Sequence, residues 1–242
     1  MSEYSRTSPW QVPVSDASVE ARVSFLRRVG LLTMGGLVVS GVTAVGSAFA
    51  VMTFDILSQR WVSLAVMLGA LFASRAVGGS LVASPDRTTR LGGFALGTAL
   101  QGVAMGYLLL TAVMLSAQLY ANPLVFLLQA FGLVGLTVTG MVAYLLTGPK
   151  NLSMVGSAMS TLALPMLGLM VFSWIFPMGG VVGILISVVF VALSAGGLLY
   201  NLNQVLHQMS TEDDVPAAYH VTLGVLTLFW NVLVLLMRLQ RR

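Results

Sequence analysis

The sequence predicts an all-α, polytopic membrane helix bundle of about seven transmembrane helices, and three observations carry that prediction. Apolar stretches of about 20–25 residues follow one another from residue 29 almost to the end, separated by short polar turns. They lack the period-2 alternation of barrel strands, which need only about 9–11 residues to cross a bilayer. Charged residues make up 8% of the chain and mean hydropathy is +0.92, whereas a soluble domain carries roughly 25% charged residues. In hydrocarbon every backbone N–H and C=O needs an internal partner, so only helices or a closed barrel can span. The length and pattern of these runs select helices.

Residues 1–28 read as a polar cytosolic tail and residues 29–242 as the transmembrane bundle. The tail is too long and too acidic (Glu3, Asp16, Glu20) for a signal-peptide n-region. Two forms are open for it: a disordered tail ending at Arg27 and Arg28, or a short amphipathic surface helix from Ser15 to Arg28. The first span is expected from Val29 to Phe54, with Asp55 and Arg60 at the next interface. The second runs from Trp61 to Ala83 and holds one charge, Arg75. Ser84 to Arg90 is a polar turn, and the third span follows from Leu91 to Leu119. Asn122-Pro123 breaks it and starts the fourth, which ends near Thr147 before the turn Gly148-Pro149-Lys150-Asn151. The fifth is expected from Leu152 to Phe176, kinked at Pro165 because proline removes an i→i−4 bond. Pro177 to Gly180 breaks the chain again, and the sixth covers Val181 to Leu206. After a polar segment from His207 to Pro216, the last apolar stretch runs from Ala217 to Leu239. Twenty residues at 1.5 Å rise cover the roughly 30 Å hydrocarbon core.

Composition also excludes functions. With no cysteine, disulfides, thiolate metal sites and cysteine nucleophiles are ruled out. The net charge of +4 comes from cations flanking apolar helices, which topology and lipid headgroups explain. No basic stripe with interleaved aromatics points to nucleic acid. No Ser–His–acid set, His-Glu-x-x-His or phosphate-cradling loop appears, so neither an enzyme nor a cofactor is expected. The bilayer is the partner the composition demands. Small residues recur at four-residue spacing: Gly36 and Ser40, Gly93 and Gly97, Gly102 and Gly106, Gly179 and Gly183. They let helix backbones approach closely. Their spread over several spans favours packing within the chain over dimerisation.

The positive-inside rule places the N-terminus in the cytosol. Arg6, Arg22, Arg27, Arg28, Arg87, Arg90 and Lys150 then lie inside, and the links between spans three and four and between five and six carry no Lys or Arg. Arg238, Arg241 and Arg242 conflict with seven spans, since they would end outside. A re-entrant last stretch is the alternative. Its uniform length and apolarity favour a full span.

Ionisable and amide groups at membrane depth are the candidate functional residues. Arg75 either snorkels to the inner interface on its long stem or lies inside the bundle, bonded to polar groups of other spans. Asn201 and Asn203 at the end of span six and Asn231 deep in span seven are its candidate partners. Asn231 reads as a register-holding amide before it reads as a ligand. His207, Glu212, Asp213 and Asp214 form a polar segment that reads first as a solvated turn. It could also contact a hard cation weakly. The spacing matches no closed calcium loop, and one histidine makes no zinc site. No metal is therefore assigned.

At its end the chain resembles the Bax-inhibitor family, the transmembrane Bax inhibitor motif proteins. The resemblance rests on Leu199-Tyr200-Asn201-Leu202-Asn203-Gln204-Val205-Leu206-His207, on Thr211-Glu212-Asp213-Asp214-Val215-Pro216, and on Asn231 and Arg238 at seven-residue spacing. The specific match covers about 40 residues. It implies seven helices with the last one central. It also implies a calcium or proton leak under pH control, restraint of cell-death or stress responses and, in a bacterial branch, association with membrane proteolysis. In the family mechanism two aspartates, one in each of the last two helices, share a proton and engage an arginine of the second helix. Close carboxylates suit that role because each raises the other's pKa. This chain departs from the pattern. The first aspartate position is Asn201. The second is Leu228, or Val225 on a shifted alignment. No Asp or Glu follows Asp214. Only Arg75 carries over, so a cation faces neutral amides and calcium would meet repulsion. Two functions are therefore expected to compete: an ion leak altered from the family's calcium version, and a non-conducting regulator that binds other membrane proteins or a membrane protease. A bacterial inner membrane is the expected location.

Overall fold

A computed structural model describes residues 13–54, 59–147, 152, 154–158 and 180–240, with the backbone alone of Arg60. Six of its helices are long and apolar enough to cross a membrane. They are α1 (Val19–Thr53), α2 (Arg60–Ala73, continuing through a π-helical turn Ser74–Gly78 into Gly79–Val82), α3 (Arg87–Tyr120), α4 (Val125–Leu146), α5 (Gly180–His207) and α6 (Asp214–Gln240). Residues 154–158 are also helical. The rest of the expected fifth span, with Pro165, lies outside the described residues, as do Asp55, Lys150 and Gly179.

Local chemistry sets the helix ends. Ser18 caps α1 by accepting a hydrogen bond from the Ala21 N–H at 3.3 Å. The helix thus begins ten residues before the expected span, and among the described residues only the 3-10 turn Val14–Asp16 precedes it. Asp86 caps α3, accepting from the Thr89 N–H at 2.8 Å and its hydroxyl at 2.7 Å. These two bonds hold the Asp86 carboxyl below the usual carboxylate range. Helix α3 stops at Ala121, whose φ of 53° is left-handed. The Asn122 side chain then accepts from the Leu124 N–H at 3.0 Å and turns the chain into α4. Pro216 sits in the first turn of α6, where a missing N–H costs nothing.

Helix α6 is the centre of the bundle. Half of its most apolar window is buried, against 17–39% for the other spans. It packs against α1, α3, α4, α5 and the end of α2. Its 27 residues form one uninterrupted helix, so the last stretch spans the bundle and does not turn back. Leu228 and Leu233 of α6 are fully enclosed with Phe126 of α4 and Leu198 of α5. The outer faces are apolar instead: Leu31, Val38 and Phe49 of α1 are each more than 60% exposed. That inversion is stable only with hydrocarbon outside.

The four-residue spacings mark close approaches inside the chain, as expected. A Cβ on Gly97 would lie 2.6 Å from the Tyr219 ring, one on Gly93 2.5 Å from Leu81, and one on Gly106 2.5 Å from Ser47. One on Gly102 would collide with the Ser40 carbonyl. Helices α1, α2 and α6 therefore all press directly onto the backbone of α3.

Candidate functional site

Two polar regions bear on function: one at the N-terminal end of α6 and one at membrane depth. At the end, three chain segments converge. The 3-10 turn Val14–Asp16 lies across the α5–α6 link, with Val14 fully buried and its N–H bonded to the Met209 carbonyl at 2.9 Å. Arg22 fastens this turn from α1 by donating to the carbonyls of Val14 (3.1 Å) and Ser15 (2.5 Å). Asp214 opens α6 beneath it, with only 4% of its side chain exposed.

A buried carboxylate needs compensation, and Asp214 receives it from two helices. Its Oδ2 lies 3.2 Å from Arg28 Nε of α1 and 3.1 Å from Arg87 Nη2 of α3. Its Oδ1 accepts from the Val215 N–H at 3.0 Å. Arg28 also donates to the Thr211 carbonyl at 3.0 Å. Next door, Arg90 pairs with Asp213 at 3.6 Å. Burial is the largest influence on Asp213 and raises its pKa, Arg90 opposes it, and the charges of Glu212 and Asp214 add to the rise. The carboxylate also complements the positive N-terminal end of the α6 dipole. A cleft of about 400 Å³ opens here, lined by Arg28, Pro85, Arg87, Arg90, Glu212 and Asp214.

This geometry decides what the acidic turn can do. The Asp214 oxygens are taken by guanidinium and amide donors, and three arginines balance Glu212, Asp213 and Asp214. Among the described residues no group of three acids or histidines is placed to hold a metal. His207, in the last turn of α5, is not part of the cluster, and its Nε2 is buried without a partner. The arginines were legible in the sequence as topogenic charges. Their pairing with Asp214 was not, because it joins residues 127 and 186 positions apart.

At membrane depth the expected residues do not assemble. Arg75 is exposed on the π-helical turn of α2. No hydrogen bond or ion pair joins it to another described residue, Asn201, Asn203 and Asn231 included. Asn203 is buried and partnered. Asn201 is half-buried, with its amide nitrogen 3.7 Å from the Cβ position of Gly224 on α6, and Asn231 is half-buried on α6.

The contacts that sequence reading missed lie beside Arg75. The Tyr219 hydroxyl of α6 donates to the Ser74 carbonyl, and the Ser74 hydroxyl donates to the Gly97 carbonyl at 2.9 Å. A π-turn disturbs the i→i−4 ladder, and here the carbonyl it offers is bonded by the central helix. Gln101 and Thr98 of α3 are buried nearby in sequence, with Gln101 Oε1 unpartnered. The one signal for this seam was the pair Ser74-Arg75 followed by two glycines inside an apolar run. At the far end of α6, Arg238 donates to the Gly183 carbonyl of α5, so this cation, which conflicted with topology, is tied to the neighbouring helix.

The chain matches the protein family described as "Inhibitor of apoptosis-promoting Bax1" over residues 22–242. It is similar to the Golgi anti-apoptotic protein of vaccinia virus strains Lister and LC16m0, 27% identical over 233 residues, covering 92% of this chain and 89% of the relatives.

Proposed function

Because this chain belongs to the Bax-inhibitor family, we propose that it restrains cell-death or stress signalling as a membrane-embedded regulator, without the family's pH-gated calcium leak. The observation that carries this reading is the character of the central helix. Leu228, at the second aspartate position, is 1% exposed. No Asp or Glu follows Asp214, and the carboxylates among the described residues (Asp16, Glu20, Asp86, Glu212, Asp213 and Asp214) all lie outside the spans or at their first turns. A calcium ion crossing here would leave its hydration shell for aliphatic carbon, with no fixed negative charge at depth. The name of the viral relatives supports the anti-apoptotic part of the proposal.

We place the N-terminus in the cytosol, since Arg22, Arg27, Arg28, Arg87 and Arg90 all sit at the end of the bundle where α1, α3 and α6 begin. The membrane itself is open between the bacterial inner membrane suggested by the sequence and the Golgi of the viral relatives' name. Interaction with other membrane proteins or a membrane protease is part of this proposal. The second reading is an anion leak, with Arg75, exposed and unpaired among the described residues, as the attracting charge.

The test is flux. Purified protein in liposomes should pass no calcium at any pH between about 5 and 8. Calcium flux that switches with pH would overturn the proposal, and chloride flux alone would favour the anion reading. Changing Asn201→Asp and Leu228→Asp together should introduce pH-sensitive calcium binding if the scaffold is inherited.

A further inference from the structure

Helices α1 and α4 make no close backbone approach. Between them runs an apolar groove of about 900 Å³, walled by α1 from Leu26 to Val45 and by α4 from Leu127 to Leu146, and floored by α6 at Val225 and Phe229. At 1.5 Å per residue the α1 wall is about 28 Å long, close to the roughly 30 Å of a hydrocarbon core. Its lining is almost wholly carbon. The rim is open to the bilayer, since Met34 of α1 and Phe131 of α4 both line the groove while more than 60% exposed.

The cytosolic-end mouth of the groove carries a charge. Arg27 and Val45 are five helical turns apart at 3.6 residues per turn, so they share one side of α1, and Val45 lines the groove. Arg27 is exposed, and no described residue pairs with it. Arg22, Arg28, Arg87 and Arg90, by contrast, are all engaged. An apolar channel of bilayer length, with an exposed guanidinium that no described residue pairs at its headgroup end, complements one kind of molecule. We infer that the groove holds a single anionic glycerophospholipid of the cytosolic leaflet, one acyl chain lying between α1 and α4 and the phosphate paired with Arg27.

Glycine distribution gives the means to test this. Gly41 and Gly135 line the groove, and a Cβ on either meets no atom within 4 Å. A leucine there starts from a Cβ that strikes nothing and adds its bulk on the groove side, and it favours the helix more than glycine does. Gly46 is equally open but does not line the groove, so Gly46→Leu is the matched control.

The experiment is native mass spectrometry of protein taken from nanodiscs of equimolar phosphatidylglycerol and phosphatidylcholine. Far-UV circular dichroism and size exclusion confirm the fold of every variant. Wild type and Gly46→Leu should each retain one phosphatidylglycerol. Gly41→Leu and Gly135→Leu, singly or together, should lower that occupancy by about tenfold or more. Arg27→Gln should keep a bound lipid but lose about fivefold of the preference for phosphatidylglycerol over phosphatidylcholine. Equal retention by the leucine variants and Gly46→Leu would overturn the groove as the site, as would a folded wild type that retains no lipid. An unchanged headgroup preference in Arg27→Gln would overturn the assigned phosphate contact.

Discussion

Asp214→Asn removes the charge at which α1, α3 and α6 meet, and the structure bounds its cost. A fully buried ion pair broken on one side costs about 3–5 kcal/mol, because an uncompensated charge stays buried. Exposed pairs are worth about 0.2–1 kcal/mol each. Asp214 is buried, but the side chains of Arg28 and Arg87 are 44% and 68% exposed. After substitution the carboxylate is gone and both guanidinia rehydrate, so the loss stays near the exposed-pair values. Two such pairs, plus about 0.5 kcal/mol for losing a negative charge at the α6 N-terminus, give about 2 kcal/mol. The assay is unfolding in mixed micelles followed by fluorescence of the four tryptophans. Double-mutant cycles with Arg28→Gln and Arg87→Gln separate the two pairs. A loss under about 0.5 kcal/mol, with no coupling to either arginine, would refute the reasoning that this carboxylate ties three helices together.

Further outcomes follow from the same packing. Tyr219→Phe removes the hydroxyl bonded to the Ser74 carbonyl and should cost about 0.6–1.7 kcal/mol in the same assay, the range for interhelical bonds in membranes. Gly102→Ala should destabilise by about 1–3 kcal/mol through its collision with Ser40, whereas Gly140→Ala, with nothing within 4 Å, should be neutral or slightly stabilising. Asp213 is raised from its ordinary value of 3.8, so the folded protein holds this proton more tightly than the unfolded chain. Its contribution therefore falls as pH climbs from 3.8 to the raised value. Relative to wild type, Asp213→Asn should gain stability as pH rises from about 3 to 6, and a constant difference would show that the charge is not disfavoured in the fold.

Much of the architecture was legible because the bilayer imposes it locally. Hydrocarbon requires each span to satisfy its own backbone, so length and apolarity alone placed five of the spans to within a few residues and the first at its C-terminal end. Spacing of small residues marked where α3 is approached closely. Helix starts were less legible. Polar residues from Ser18 to Arg28 read as tail, yet the Ser18 cap and the long α1 carry helix through them. Arg75 illustrates the other limit. A charge in an apolar run is visible in sequence, but the face it takes depends on packing: Ser74 is held inward by Tyr219 and Gly97, and Arg75 beside it is exposed.

The sequence by itself determined the solvent, the secondary structure and the absence of carboxylates beyond Asp214, because each depends only on what a residue is or on its near neighbours. Tertiary structure alone decided which arginines neutralise Asp214, which carbonyl Tyr219 bonds, and that α1 and α4 stand apart with a groove between them. Those facts join positions up to 186 residues apart. They follow from the crossing of helices, which no local pattern encodes.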